Sequence, residues 1–195
     1  MPNELDWTHL PEGVETVDLW SWLHDAMLEE CESDPLARTL TLQIDSAHIR
    51  KHRKLEEETR FVLMFRGVTA VRGVRSLIWP GEFVRPDGIS REDESDLVAE
   101  YQTKWRTETV SWPDVEEQIA EGGLDISDAS FARGDEQVAI MLGGQNRAAP
   151  DGYANWLEIQ IAAQALEVGL TSGEALTVDE ALQWGDTYWD EWSKV

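Results

Sequence analysis

The chain has 195 residues, 42% of them hydrophobic and 28% charged, with a formal net charge of −23 at pH 7. A chain of this length buries one substantial core, covering about 70% of its unfolded surface. So strong an acidic field disfavours contact with nucleic-acid phosphates or anionic membranes, and it draws a basic partner inward. No apolar run approaches the ~20 residues needed to span a bilayer. The opening MPNELDW lacks the basic start and apolar centre of a signal peptide. A single domain over residues 1–195, cytoplasmic and without nucleic acid or membrane as partner, is therefore expected. Cys31 is the one cysteine, so no intramolecular disulfide can form, and Glu30 and Glu32 beside it disfavour its thiolate.

The charge is unevenly spread. Residues 1–37 contain no Lys or Arg, whereas nine of the 16 basic residues fall within 38–75. Residues 1–17 carry Pro2, Pro11 and Gly13 with no apolar period and read as an extended N-terminal arm. One helical turn at Asp18 to Leu23 leads into a hairpin. Its first strand is Ala26 to Glu32, of mixed polarity that signals a bulge or an edge, and Ser33-Asp34-Pro35 is its turn. In the returning strand Leu40, Leu42 and Ile44 alternate with Thr39, Thr41, Gln43 and Asp45, the pattern of a half-buried strand. Ala47 to Thr59 is a highly charged connection, either a helical turn or a loop. In Arg60 to Arg66 the residues Phe61, Leu63 and Phe65 face one side and Val62 and Met64 the other, as expected of a central, covered strand. A strand from Val68 to Leu77 follows, then a Pro- and Gly-rich loop from Pro80 to Ile89.

Ser90 is an N-cap for a helix near 91 to 107, with Leu97, Val98, Tyr101 and Trp105 on one arc. Ser111 caps a second helix near 112 to 121, striped by Trp112, Val115 and Ile119 and stopped by Gly122-Gly123. A second hairpin runs from Asp128 to Arg133 and back through Gln137 to Leu142. Gly143 to Ala154 reads as a loop. Trp156 to Ala163 alternates again and continues as strand to Val168. Thr177-x-x-Glu180 is a capping box opening a last helix from 178 to 192. Val178, Ala181, Leu182, Gly185, Tyr188, Trp189 and Trp192 share its apolar arc, opposite Asp179, Gln183, Asp186, Thr187, Asp190 and Glu191. The order lacks regular strand and helix alternation, so the fold class is α+β. A mostly antiparallel curved sheet of seven or eight strands, a partial barrel or sandwich, should carry two central helices and a C-terminal helix. Leu40, Leu42, Ile44, Phe61, Leu63, Phe65, Val138, Ile140, Leu157, Ile159 and Ile161 should be buried.

Few residues suggest chemistry. His24-Asp25 pairs an imidazole with a carboxylate, but neighbours on a strand point to opposite faces, and His24 reads as a residue bonded to backbone. His48, His52 and Glu56 have the spacing of metal ligands on a helix, yet Arg50, Lys51, Arg53 and Lys54 crowd them with positive charge. That basic run should find acidic partners within the chain. A metal-dependent hydrolase at His24, His48 and His52 is the weakest reading, and no catalytic residue, metal or cofactor is assigned. Acidic pairs lie on helix ends and outer faces, and no phosphate loop, nucleophile elbow or Cys-x-x-Cys occurs. Ten Trp residues are the outlier of the composition. Trp105, Trp112, Trp189 and Trp192 fall on core-facing arcs. Trp156 and Trp184 fall at or beyond the apolar faces of their elements, as a ligand platform or protein interface would require.

Leu23-His24-Asp25-Ala26, with the alternating strand after Arg38, resembles uncharacterised small bacterial families. In those families a His-Asp-Ala step begins a strand, a turn follows and a Leu-rich strand returns, and some are known as toxin-immunity proteins. The resemblance covers about residues 19–45. It implies a non-enzymatic bacterial protein that binds a partner protein stoichiometrically. Together with the charge it leads to an acidic module for a basic protein, with Trp156, Trp184, Asp186, Asp190 and Glu191 as binding residues. The alternative is a small-molecule or carbohydrate binder with a Trp-lined concavity.

Overall fold

The computed structural model describes residues 15–78, 106–148 and 154–194. The arm before Glu15, the Pro80–Ile89 loop and the body of the helix expected near 91 to 107 lie outside them. Strand β1 (Glu15–Asp18) takes up the end of the expected arm and Asp18, expected to open the helical turn. After it come helix α1 (Trp20–Leu23), β2 (Met27–Asp34), β3 (Thr39–Asp45), helix α2 (Ala47–His52), β4 (Phe61–Arg66) and β5 (Ala70–Ile78). The rest are β6 (Arg106–Val110), helix α3 (Trp112–Gly122), β7 (Leu124–Arg133), β8 (Val138–Asn146), β9 (Ala154–Ala163), β10 (Ala165–Leu170), β11 (Ala175–Leu176) and helix α4 (Val178–Trp192). The fold is α+β. Its described strands form one sheet in the order β11-β10-β4-β3-β2-β7-β8-β9-β5-β6, with β1 on β7, so eleven strands replace the seven or eight expected.

Every pairing among the described strands is antiparallel. The first hairpin has the expected register, Leu42 opposite Cys31, and its mixed polarity marks a bulge between Leu28 and Glu30. β4 is central, between β3 and β10, with Val62 and Met64 half-buried on its second face. Residues 106 and 107, expected at the end of a helix, instead pair as β6 with β5. A strand, not the end of a helix, thus leads into the helix from Trp112. The expected continuous strand through Val168 breaks at Gln164: β9 pairs with β8 and β5, whereas β10 pairs with β4. Gly143–Asn146, expected in a loop, extends β8.

One core cluster joins Leu40, Leu42, Ile44, Phe61, Leu63 and Phe65 to Ile140, Leu142, Leu157, Ile159 and Ile161. Of the residues expected inside, Val138 alone is only half-buried, because it opens its strand opposite exposed Arg133. Helix α3 seals this core with Val115 and Ile119; its Ser111 hydroxyl accepts the Asp114 amide, and Gly123 at φ 66° ends it. Gly73 in β5 admits α3 closely, since a Cβ there would stand 2.4 Å from Val115. Helix α4 opens on the expected capping box of Thr177 and Glu180.

The edge of β7 is shared in a way that prepares the site. Met27 and Leu28 of β2 pair with its first residues, and β1 pairs with its last four. Between them the chain leaves the sheet as α1, held by Leu19 N–H to Ala129 carbonyl (2.9 Å) and Asp25 N–H to Ile126 carbonyl (3.1 Å). Trp22 and Leu23 turn into the core, and Trp20 is left outside.

Candidate functional site: an aromatic and histidine tier on three helices

Helix α4 lies against α1 and α2. It approaches α1 at Gly185, where a Cβ would come within 2.1 Å of the Ser21 carbonyl oxygen. One turn on, Trp189 donates from its indole N–H to the same carbonyl (3.0 Å). At the start of α2, the Ser46 hydroxyl donates to the Trp22 carbonyl (3.2 Å) rather than capping its own helix. These contacts bring side chains from three distant segments into one tier. Trp20 stacks on His24, with ring centres 4.7 Å apart and planes at 22°, and meets Trp189 at 5.0 Å. Trp189 in turn meets Tyr188 at 4.9 Å and Trp192 at 5.8 Å, both edge-on. His48 rests against Tyr188 and Trp189, and His52 against Tyr188.

Carboxylates border the tier. Asp18 accepts the Trp20 amide (2.8 Å), Asp25 stands 3.5 Å from His24, and Glu191 lies 2.9 Å from the His52 Nε2. Burial depresses the basicity of His48, and the nearby Asp25 and Asp45 oppose that only in part. The imidazole is therefore neutral at pH 7. Two members of the tier reach solvent: Trp20 is 42% and Trp192 63% exposed. Trp192, expected on a core-facing arc, falls past the end of the surface that α1 and α2 provide.

His24 and Asp25 do not point to opposite faces. His24 caps the C-terminus of α1 and Asp25 is left-handed at φ 61°, so the two side chains approach one another. The other His24 nitrogen lies 3.4 Å from the Ser127 carbonyl, a long backbone contact of the kind expected. His48 and His52 both rest on Tyr188, but His48 also meets Trp189 and His52 also meets Glu191, and Glu56 lies exposed beyond the end of α2. Among the described residues no group of three or more His, Cys, Asp or Glu could hold a metal ion.

Of the basic run, only Arg50 meets an acid among the described residues, whereas arginines farther along the chain are paired. Arg50 makes two 3.0 Å bonds to Asp45, Arg60 meets Glu29, Arg66 meets Glu167 and Arg75 meets Glu108. Arg53 lies 4.4 Å above the ring of Trp184. That indole is half-buried, edge-on to Phe61 at 6.2 Å. Trp156 is also half-buried, on β9 between Ser76 and Gln145 in register and against Gly143. Trp156 and Trp184 share no neighbour among these. Asp186 and Asp190 are exposed on α4, and Glu191 is exposed while bonded to His52. Burial, with Glu116 and then Glu32 adding to it, pushes the Cys31 thiol up to about 12.

A separate open groove of about 930 Å³ runs beside β10 and β11, lined in part by Val62, Met64, Leu166, Val168 and Leu176. Arg133 at its rim is held by Glu15 (2.7 Å) and Asp179 (3.9 Å). Its lining includes no tryptophan. No described helix is long and apolar enough to cross a membrane. Compared with protein-family models, curated proteins and solved structures, the chain matches none of them.

Proposed function

We propose that the chain is a non-enzymatic, acidic protein-binding module of a bacterial cytoplasm, comparable in role to the toxin-immunity proteins that its opening resembles. Its partner is a basic protein, and its docking face is the solvent side of α4 with the adjoining α1. The observation that carries this reading is the exposure of Trp192 and Trp20 on segments whose Asp25, Asp186 and Asp190 are exposed as well. Exposed large aromatics are few among the described residues, and interface cores are enriched in such residues. The reading takes the sheet as a curved, partial barrel that serves as a rigid frame, for which the single core cluster joining β3 and β4 to β8 and β9 is the support.

The steering part of such an interaction is electrostatic, and exposed charges are screened over about 8 Å at physiological ionic strength. Wild-type chain and the Asp186→Lys/Asp190→Lys variant should be used to capture proteins from a bacterial lysate at low and moderate salt. A basic protein retained by the wild type, released as salt rises and captured at least tenfold less by the variant, is the expected result. A retained protein indifferent to both salt and the reversals would overturn the reading.

The groove beside β10 and β11 favours a second reading, a small-molecule binder, since its volume lies within the ~300–1,000 Å³ usual for ligand sites. Its aliphatic lining suits an apolar ligand better than a sugar, which needs aromatic faces to stack on.

A further inference from the structure

The docking face described above has an anchor of definite chemistry. We infer that the exposed indoles of Trp20 and Trp192, flanking Trp189, form a receiving site for an arginine side chain of the basic partner. The inference rests on the proposed docking reading and names the group that this surface takes.

Geometry restricts what the surface can accept. The three indoles form one connected pile, with centres 5.0 and 5.8 Å apart, and Trp189 is fixed by its bond to the Ser21 carbonyl. The outer members are held by this pile yet present ring surface to water. Carboxylates border Trp20, where Asp18 accepts its backbone amide and Asp25 stands 3.5 Å from the His24 ring stacked on it, and exposed Asp190 lies on the last turn of α4, two residues before Trp192. An apolar partner surface would strand these charges without water. A second copy of the chain would bring another −23 charges against them. A cation satisfies both features, because indole faces attract cations through the ring quadrupole while the carboxylates accept its N–H groups.

Guanidinium fits better than ammonium. It is planar, more weakly hydrated, and able to stack on an indole while forking toward a carboxylate. The chain itself shows this pairing on the same helix, where Arg53 covers Trp184 at 4.4 Å. Among the described residues no cation covers Trp20 or Trp192 in that way. The cation next in sequence, Lys194, lies two residues beyond Trp192 and is itself exposed.

Three short Gly/Ser peptides test this, carrying three arginines, three lysines or three citrullines, the last keeping the planar shape without the charge. They should be titrated into the full chain while the indole N–H signals are followed by NMR. The arginine peptide should shift the Trp20 and Trp192 signals and bind more tightly than the lysine peptide; the citrulline peptide should not bind. Trp192→Ala and Trp20→Ala should each weaken the arginine peptide by about two- to fivefold, the worth of one exposed cation–π contact. Trp192→Phe should restore part of the loss without disturbing the fold. Equal binding of arginine and lysine peptides, unaffected by either alanine variant, overturns the anchor. If Asp186→Lys/Asp190→Lys still weakens both peptides in that case, the acidic docking face stands without it; if it does not, both fall.

Discussion

His48 shows how a residue's place in the tier sets its protonation. Half-buried against Tyr188 and Trp189, with Asp25, His24 and Asp45 near enough to be felt, its folded pKa falls below the ordinary 6.5, burial being the largest cause. Above that value both folded and unfolded chains hold a neutral imidazole. Between it and the lower folded value the unfolded chain takes up a proton that the folded chain refuses, so stability drops as pH falls through this window. His48→Gln should flatten the decline of the urea midpoint between about pH 7 and pH 5, even if it lowers the midpoint at pH 7. An unchanged slope would show that His48 protonates as easily folded as unfolded. The sequence placed His48 and His52 on one face of a short helix, but it could not say that the face meets aromatic rings some 140 positions later. For Cys31 it offered the neighbouring glutamates, whereas burial and Glu116 across the core weigh more. Trp192 continued a helical arc correctly; what the arc could not convey is where the opposing surface ends.

At the scale of elements, the contact of α4 with α1 is set by the absence of a side chain. Gly185 brings its helix so near that an added Cβ would meet three backbone atoms of Ser21 and Trp22 at 2.1 to 2.8 Å. Backbone cannot swing aside as a flexible side chain can. Gly185→Ala gains about 1 kcal/mol of helix propensity but should still destabilise by about 1–3 kcal/mol through overpacking, and it should spread the Trp20 and Trp189 rings apart. Chemical denaturation measures the first and indole chemical shifts the second; a more stable variant would mean that the helices separate at little cost. Elements with a buried stripe were legible: β3, β4, α3 and α4 all fell where their periodicity put them. β6 was not, because Arg106–Val110 offers exposed or half-buried side chains and its place depends on the β5 edge. Likewise, the break at Gln164 separates strands that are apolar on both sides of it, so alternation alone ran them together.

For the whole molecule, the formal charge of −23 opposes compaction even though many arginines are individually matched. Pairing uses only some of the 39 acids, and the remainder repel one another across the surface. Raising salt from about 20 to 300 mM should therefore raise the thermal midpoint, since screening relieves repulsion among exposed groups more than it weakens close pairs. Scanning calorimetry over that range checks it; a midpoint that falls with salt would mean that the matched pairs outweigh the excess. The bend at Gly67 and Gln164 has another consequence. There β4 runs on into β5 while β9 runs on into β10, with β4 paired to β10 and β5 to β9, so residues 61–78 are flanked by residues 154–170. The close approach of Gln164 to Gly67, itself at φ 62°, fastens the two ribbons at the corner. On the ribosome, the first 78 residues must wait with unpaired strand edges until the last quarter of the chain has been made. Closing so long a loop is slow, so the newborn chain spends its most vulnerable interval with one edge of β4 and one edge of β5 unpaired, and its dense negative charge then keeps neighbouring nascent chains apart.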